Sequence, residues 1–226
     1  VLKKWANTGL GVYDFSTQQG GPYGSDPLFD DVIANGGEIL VSIAGNSSLE
    51  LPVWLQSATN HFYPNNLDNY QTVLEDGLRH LKEKYPQFKY LESQNEPGGE
   101  IKVSADEFKL MHERVQLAAD TVNQELPADI PKIIVGGPGL GYSAGDMEKR
   151  YTYAIPILDY ISSKSLPLGF LSWHVYNETP KGHDTILNRF YDLMTRKGYD
   201  SPMFVTEIGY TYQNPDNGLN SKCSDS

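Results

Sequence analysis

Cysteine is all but absent from this chain. A single Cys223 lies in a polar tail, so no intramolecular disulfide braces the fold and thiol usage says nothing of compartment. No apolar run reaches membrane-spanning length, and the first residues lack a signal-peptide pattern. Basic residues are scarce too: 18 Lys and Arg stand against 29 Asp and Glu, a net charge of −11. That balance argues against nucleic acid or an anionic membrane as partner, because both demand a cationic surface. The five histidines (61, 80, 112, 174, 183) have no metal-ligand spacing, and Gly136-Gly137-Pro138-Gly139 lacks the spacing and lysine of a phosphate loop. Neither a metal nor a cofactor is expected.

What is present suits an ordinary globular domain. With 226 residues, 39% of them hydrophobic, the chain can bury one sizeable core. Tyrosine is abundant at 15, fitting a surface that both stacks and hydrogen-bonds. Asn46-Ser47-Ser48 and Asn177-Glu178-Thr179 are glycosylation sequons, which carry meaning only in a secreted chain.

From about residue 38, short β-rich runs alternate with helical patterns. Glu38–Ala44 reads as a buried strand. Leu67, Tyr70, Leu74, Leu78 and Leu81 follow at helical spacing, with Asn66 as the cap. A second strand spans 89–95. Ser104-Ala105-Asp106-Glu107 is a capping box, leading a stripe of Phe108, Met111, Val115, Ala118 and Val122. The third strand is Lys132–Gly137, followed by a helix through Tyr153, Ile157, Tyr160 and Ile161. The fourth is Phe170–Tyr176, followed by a helix over 184–197, and the fifth is 202–206. Residues 1–37 are harder to assign: Gly11–Phe15 is a weak strand and Pro27–Ile33 a short helix. Residues 213–226 read as turn and tail.

Strand-then-helix repetition implies parallel strands with helical crossovers, an α/β class. Two glutamates close two of the strands: Glu96, inside Asn95-Glu96-Pro97, and Glu207, after Val205-Thr206. Three strand–helix units lie between them. A doubly wound sheet shows the same alternation, but chemistry at the carboxyl ends of several strands favours a (β/α)8 TIM barrel. Five strands are legible where such a barrel needs eight, so the barrel is expected to be incomplete, with strands three to seven represented. Paired carboxylates on separate strand ends suit general acid and nucleophile work at a sugar acetal. With one ionised, like-charge repulsion favours a proton on the other.

By these motifs the chain resembles the (β/α)8 glycoside hydrolase clan that carries glutamates at the ends of strands four and seven. Val135-Gly136-Gly137-Pro138, Leu171–Tyr176 and Tyr13-Asp14-Phe15-Ser16 are similar to family 39, the β-xylosidase and α-iduronidase relatives; family 5 is next. Gln94, Gly98 and Ile208-Gly209 depart from the family 39 pattern. The resemblance implies one catalytic domain over residues 1–226, truncated at both ends. It further implies a retaining O-glycoside hydrolase cleaving a β-linked glycoside, a xyloside being the specific expectation, with an oligosaccharide or glycoside as its partner. Glu96 would be the acid/base, Glu207 the nucleophile, Asn95 a ligand of the sugar 2-hydroxyl, and Tyr176 and His174 contacts of nucleophile or sugar. Trp54, Trp173, Tyr210 and Tyr212 are candidate stacking platforms. Ser172, His174 and Tyr176 share one strand parity while Trp173 and Val175 face the other side. Glu92 and Gln94 share parity with Glu96; if they point inward, Glu92 must find a partner. Two alternatives stay open: a catalytically inactive carbohydrate-binding relative, and an unrelated α/β scaffold.

Overall fold

The computed structural model describes residues 9–15, 25–43, 51–99, 102–141, 147–176 and 180–209. Among these residues five helices and five strands follow in order: α1 (Ser25–Ala34), β1 (Leu40–Ser42), α2 (Leu67–Lys84), β2 (Tyr90–Glu92), α3 (Ala105–Glu125), β3 (Ile134–Gly136), α4 (Met147–Ser163), β4 (Leu171–Tyr176), α5 (Pro180–Arg196) and β5 (Met203–Gly209). A 3-10 turn, Val53–Leu55, sits between β1 and α2.

Local chemistry sets these boundaries. Asn66 caps α2, its side chain accepting from the Asp68 and Asn69 amides at 2.9 Å. The Ser104–Glu107 capping box opens α3 with both reciprocal bonds formed. Behind the caps, Tyr70, Val73, Leu74, Leu78 and Leu81 of α2 meet Phe108, Met111, Val115, Ala118 and Val122 of α3, all buried. At the end of α2, the Lys82 amine donates to the Pro86 and Phe88 carbonyls, the Pro86 contact at 2.8 Å. In α4 the buried stripe is Ala154, Ile157, Leu158 and Ile161, with Tyr160 toward the rim.

Among the described residues the five strands pair in parallel. β1, β2 and β3 form one ladder, with Leu40 opposite Tyr90 and Tyr90 opposite Ile134. β4 and β5 form another, starting at Leu171 opposite Met203. A bridge between Leu140 and Trp173 joins them: the Leu140 amide donates to Ser172 (3.1 Å) and the His174 amide to Leu140 (2.9 Å). The spatial order is thus β1-β2-β3-β4-β5. Closure into an eight-stranded barrel is not seen among the described residues, and on the outer face of β5 Val205 and Ile208 are exposed.

The weak strand expected at Gly11–Phe15 is instead a tight turn, with Gly9 bridged to Val12. Its aromatics serve as anchors: the Tyr13 hydroxyl donates to Asp76 (2.6 Å), and Phe15 stacks on His80 with centroids 3.6 Å apart. The short helix at 27–33 is α1, whose Phe29 packs edge-on against Tyr85. Both sequons, Cys223, Tyr210, Tyr212 and the tail lie outside the described residues.

Candidate active site

Side chains of β2, β4 and β5 meet on one face of the sheet in three strata. The lowest is aromatic. Phe204 stacks on Phe170 (4.6 Å between centroids), and Tyr90 meets both edge-on at 5.3 and 6.0 Å. The middle stratum is polar. Glu92, 1% exposed, accepts from the Ser172 hydroxyl (2.6 Å) and the Thr206 hydroxyl (2.9 Å), both through Oε1. The uppermost holds the expected pair: His174 Nδ1 lies 2.8 Å from Glu96 Oε1 and 3.4 Å from Glu207 Oε2. The facing atoms of all three residues fall within 4.8 Å of one another.

Side chains of the β2 and β4 segments can meet because the chain between them, from the end of β3 to Gly141, places glycines at the points of approach. A Cβ at Gly136 would lie 2.4 Å from the Phe170 ring, and one at Gly141 2.6 Å from the Glu96 carboxyl carbon. At Gly139 it would lie 2.8 Å from His174 Nε2 and 2.9 Å from Glu92 Oε2. Each stratum therefore occupies space that a glycine leaves empty.

Two backbone irregularities aim the carboxylates. On β5 the register slips: Trp173 opposes Val205, but His174 opposes Glu207, so Thr206 is the extra residue of a bulge. A bulge lets two successive side chains face one way. Thr206 reaches Glu92 and Glu207 reaches His174, while Val205 and Ile208 face out. Four residues past the end of β2, Glu96 has φ +43°, a left-handed conformation that costs a non-glycine residue roughly 1–3 kcal/mol and clusters at functional sites. Its backbone is tied down on both sides, its amide donating to Gly139 (2.7 Å) and its carbonyl accepting from Gly99 (3.2 Å). Gly98, a departure from the family pattern, has φ +73° and a missing Cβ that would sit 2.5 Å from the Tyr153 ring. Glycine is required there twice over.

The electrostatics are graded by depth. His174 is fully buried, whereas the Glu96 and Glu207 side chains are 16% and 41% exposed. A reactant arriving from solvent thus meets the two carboxylates first, with the imidazole behind them.

The other sequence candidates fall as follows. Asn95 is half-buried beside Glu96, its backbone bridged to Gly139. The Tyr176 backbone ends β4 opposite Gly209, and its side chain lies outside the description. Trp54 leans, half-buried, on the first core from the 3-10 turn. Trp173 must be withdrawn as a stacking platform. It faces away from His174, is 4% exposed, and stacks on Phe190 of α5 at 5.9 Å in the second core. Glu92, Ser172 and Thr206 were missed as a group; the shared parity of Ser172 and His174, with the need of Glu92 for a partner, was the available signal. The cluster Glu96–His174–Glu207, although it was not foreseen as a ligand set, has the donor types to hold a cation.

No family model matches this chain, and no curated protein does. Among solved structures, a glucosidase from Croceicoccus marinus is similar over 88% of this chain, with a TM-score of 0.65 at 21% identity. The two share an α/β fold, and the chain spans 38% of that glucosidase's length. A cellulose synthase subunit Z from Clostridioides difficile (TM-score 0.40, 9% identity, 92% of this chain and 81% of that one) is only loosely alike. So is an endoglucanase (TM-score 0.38, 11% identity, 91% and 79%).

Proposed function

We propose that this chain carries the active site of a retaining O-glycoside hydrolase acting on a β-linked glycoside, with xylosides the first substrates to test. The observation that carries the proposal is the convergence of Glu96 and Glu207, from the carboxyl ends of separate parallel strands, to within 4.8 Å. Retaining enzymes hold their carboxyl groups at ~5–5.5 Å, whereas inverting ones leave ~6.5–9.5 Å for a water. The fold shared with a glucosidase is consistent with it, as is the strand-four motif.

In the first half-reaction Glu207 attacks the anomeric carbon as Glu96 passes its proton to the departing oxygen. The glycosyl ester that forms removes the charge of Glu207. Glu96, now without an anionic neighbour, takes a proton from the incoming water, which releases the sugar with its configuration kept. Asn95, next to the acid, is the candidate ligand of the 2-hydroxyl. His174, in contact with both carboxylates, orients them.

Hydrolysis of a panel of aryl β-glycosides, followed by anomeric proton NMR, tests this directly. Turnover with retention, lost by at least ~10³-fold in Glu207→Ala, is the expected result. Labelling of Glu207 by an activated 2-fluoro sugar, read as added intact mass, would identify the nucleophile. Binding of oligosaccharide without turnover or labelling would instead mark an inactive carbohydrate-binding protein.

A further inference from the structure

The left-handed backbone of Glu96 persists only where its surroundings over-determine it. On one side the Gly139 carbonyl fixes its amide. On the other, the turn Glu96–Gly99 closes on itself, the Gly99 amide donating to the Glu96 carbonyl at 3.2 Å. A bond of that length holds a glycine turn only weakly. What else covers the turn comes from α4.

Two residues of α4, three apart and so on one helix face, lie against it. The Tyr153 ring occupies the space that Gly98 leaves, where a Cβ would stand 2.5 Å from Cε2. The Arg150 guanidinium occupies the space that Gly99 leaves, where a Cβ would overlap Nη2. Arg150 Nη1 donates to the Pro97 carbonyl at 3.5 Å, while Nε is buried without a hydrogen-bond partner among the described residues. Packing on glycine, more than polar bonding, therefore accounts for its place. The Tyr153 hydroxyl donates to the Val103 carbonyl at 2.9 Å, one residue before the Ser104 cap of α3. Burial pushes that hydroxyl up, so it stays a donor.

The base of this arrangement is rigid. Tyr153 packs against both hydrophobic cores, and along the same helix Ala154, Ile157, Leu158 and Ile161 are buried. Gly98 departs from the family 39 pattern, so the fit of Tyr153 against it is a feature of this chain.

We propose that Arg150 and Tyr153 are positioning residues for the acid: a clamp over Gly98-Gly99 that holds Glu96 in its strained conformation and so keeps its carboxylate against the departing oxygen. The kinetic consequence rests on the retaining-hydrolase reading; the restraint on the turn does not.

Tyr153→Leu removes ring and hydroxyl, and Arg150→Met removes the guanidinium from a half-buried position. Each is expected to lower kcat on a glycoside with a poor leaving group by ~10–100-fold, with KM within about threefold. A dinitrophenyl glycoside, whose leaving group departs unprotonated, should lose less than about threefold. Gly99→Ala evicts the guanidinium, so combining it with Arg150→Met should cost no more than the larger single loss. Losses that multiply, or that fall equally on both substrates, overturn the proposal. Ser104→Ala weakens the neighbouring α3 cap and leaves the turn alone, so the ratio between the two substrates should stay at the wild-type value. If it shifts that ratio as Arg150→Met does, general loosening is the cause and the clamp is refuted.

Amide hydrogen exchange supplies the arm independent of turnover. The Glu96 and Gly99 amides should exchange ~5–150-fold faster in both α4 variants as the strain at Glu96 is released, while α3 keeps its protection. Amides unmoved in Arg150→Met, or protection lost throughout α3, overturn the proposal. Released amides in a protein whose wild type hydrolyses no glycoside would sink the glycosidase reading and leave the restraint standing.

Discussion

Replacing Gly141 by alanine would push on the proposed acid and on little else. Gly141 is buried and lies outside the left-handed region, so alanine adopts its backbone without strain. Its new methyl would stand 2.6 Å from the Glu96 carboxyl carbon and 2.7 Å from Oε1. Relief to the 3.4 Å of ordinary contact takes a carboxylate displacement of ~0.8 Å. Misplacing a catalytic group by about 1 Å costs on the order of 10²-fold. A fall of ~30–100-fold in kcat/KM is therefore expected, equivalent to about 2–3 kcal/mol of transition-state stabilisation. Folding should change little, because the stiffer unfolded chain contributes ~0.4–1 kcal/mol that offsets the local push. The informative assay compares two aryl leaving groups. A dinitrophenolate departs without a proton, whereas a poor leaving group needs one from Glu96. The loss should concentrate on the poor leaving group, with the melting temperature within about 3 °C of wild type. Equal losses on both substrates, or none on either, would refute the placement of Glu96 as the acid.

Three further outcomes follow from the packing. Burial pushes His112 down to about 4, so between that value and the ordinary ~6.5 the unfolded chain binds a proton that the folded one refuses. Stability should accordingly fall as pH drops through that window, by up to about 3 kcal/mol, and urea melts of His112→Asn should lack that slope. Ser104→Ala removes the capping box of α3 and should lower stability by ~0.5–2 kcal/mol without changing kcat, as thermal melts alongside turnover would reveal. The Tyr70 hydroxyl is buried without a hydrogen-bond partner among the described residues, so Tyr70→Phe should stabilise the fold by about 1 kcal/mol; a lower melting temperature would contradict this.

Much of the scaffold was legible because its signals are local. Asn66 and the Ser104–Glu107 pair mark helix starts through contacts spanning two or three residues, and both caps form as expected. The helix stripes face the core because a 3.6-residue period leaves no other packing. Strand ends were less well defined: the run read as 89–95 pairs as a ladder only at Tyr90–Glu92, since beyond it the chain turns to aim Glu96. The parity of β4 was also legible, and it already set Trp173 opposite His174. Naming both as sugar contacts conflicted with that alternation, and the packing of Trp173 on Phe190 resolves it.

What escaped the sequence depends on register, which no single strand encodes. Strict alternation would place Thr206 and Glu207 on opposite faces, and would thus deny either the anchor of Glu92 or the contact with His174. One bulge satisfies both, and its position is set by pairing with β4, not by the residues around it. The glycines of β3 and its extension are the complementary half of the same device. Read alone, Gly136-Gly137-Pro138-Gly139 suggests only a loop without phosphate chemistry. Placed between β2 and β4, Gly136, Gly139 and Gly141 lie under the aromatic, polar and carboxylate strata in turn. A side chain on any one of them would separate residues that come from the two flanking strands. Strands that must meet across a third need that third strand to be small, so a spaced run of glycines after a β-rich segment can mark a site assembled by its neighbours.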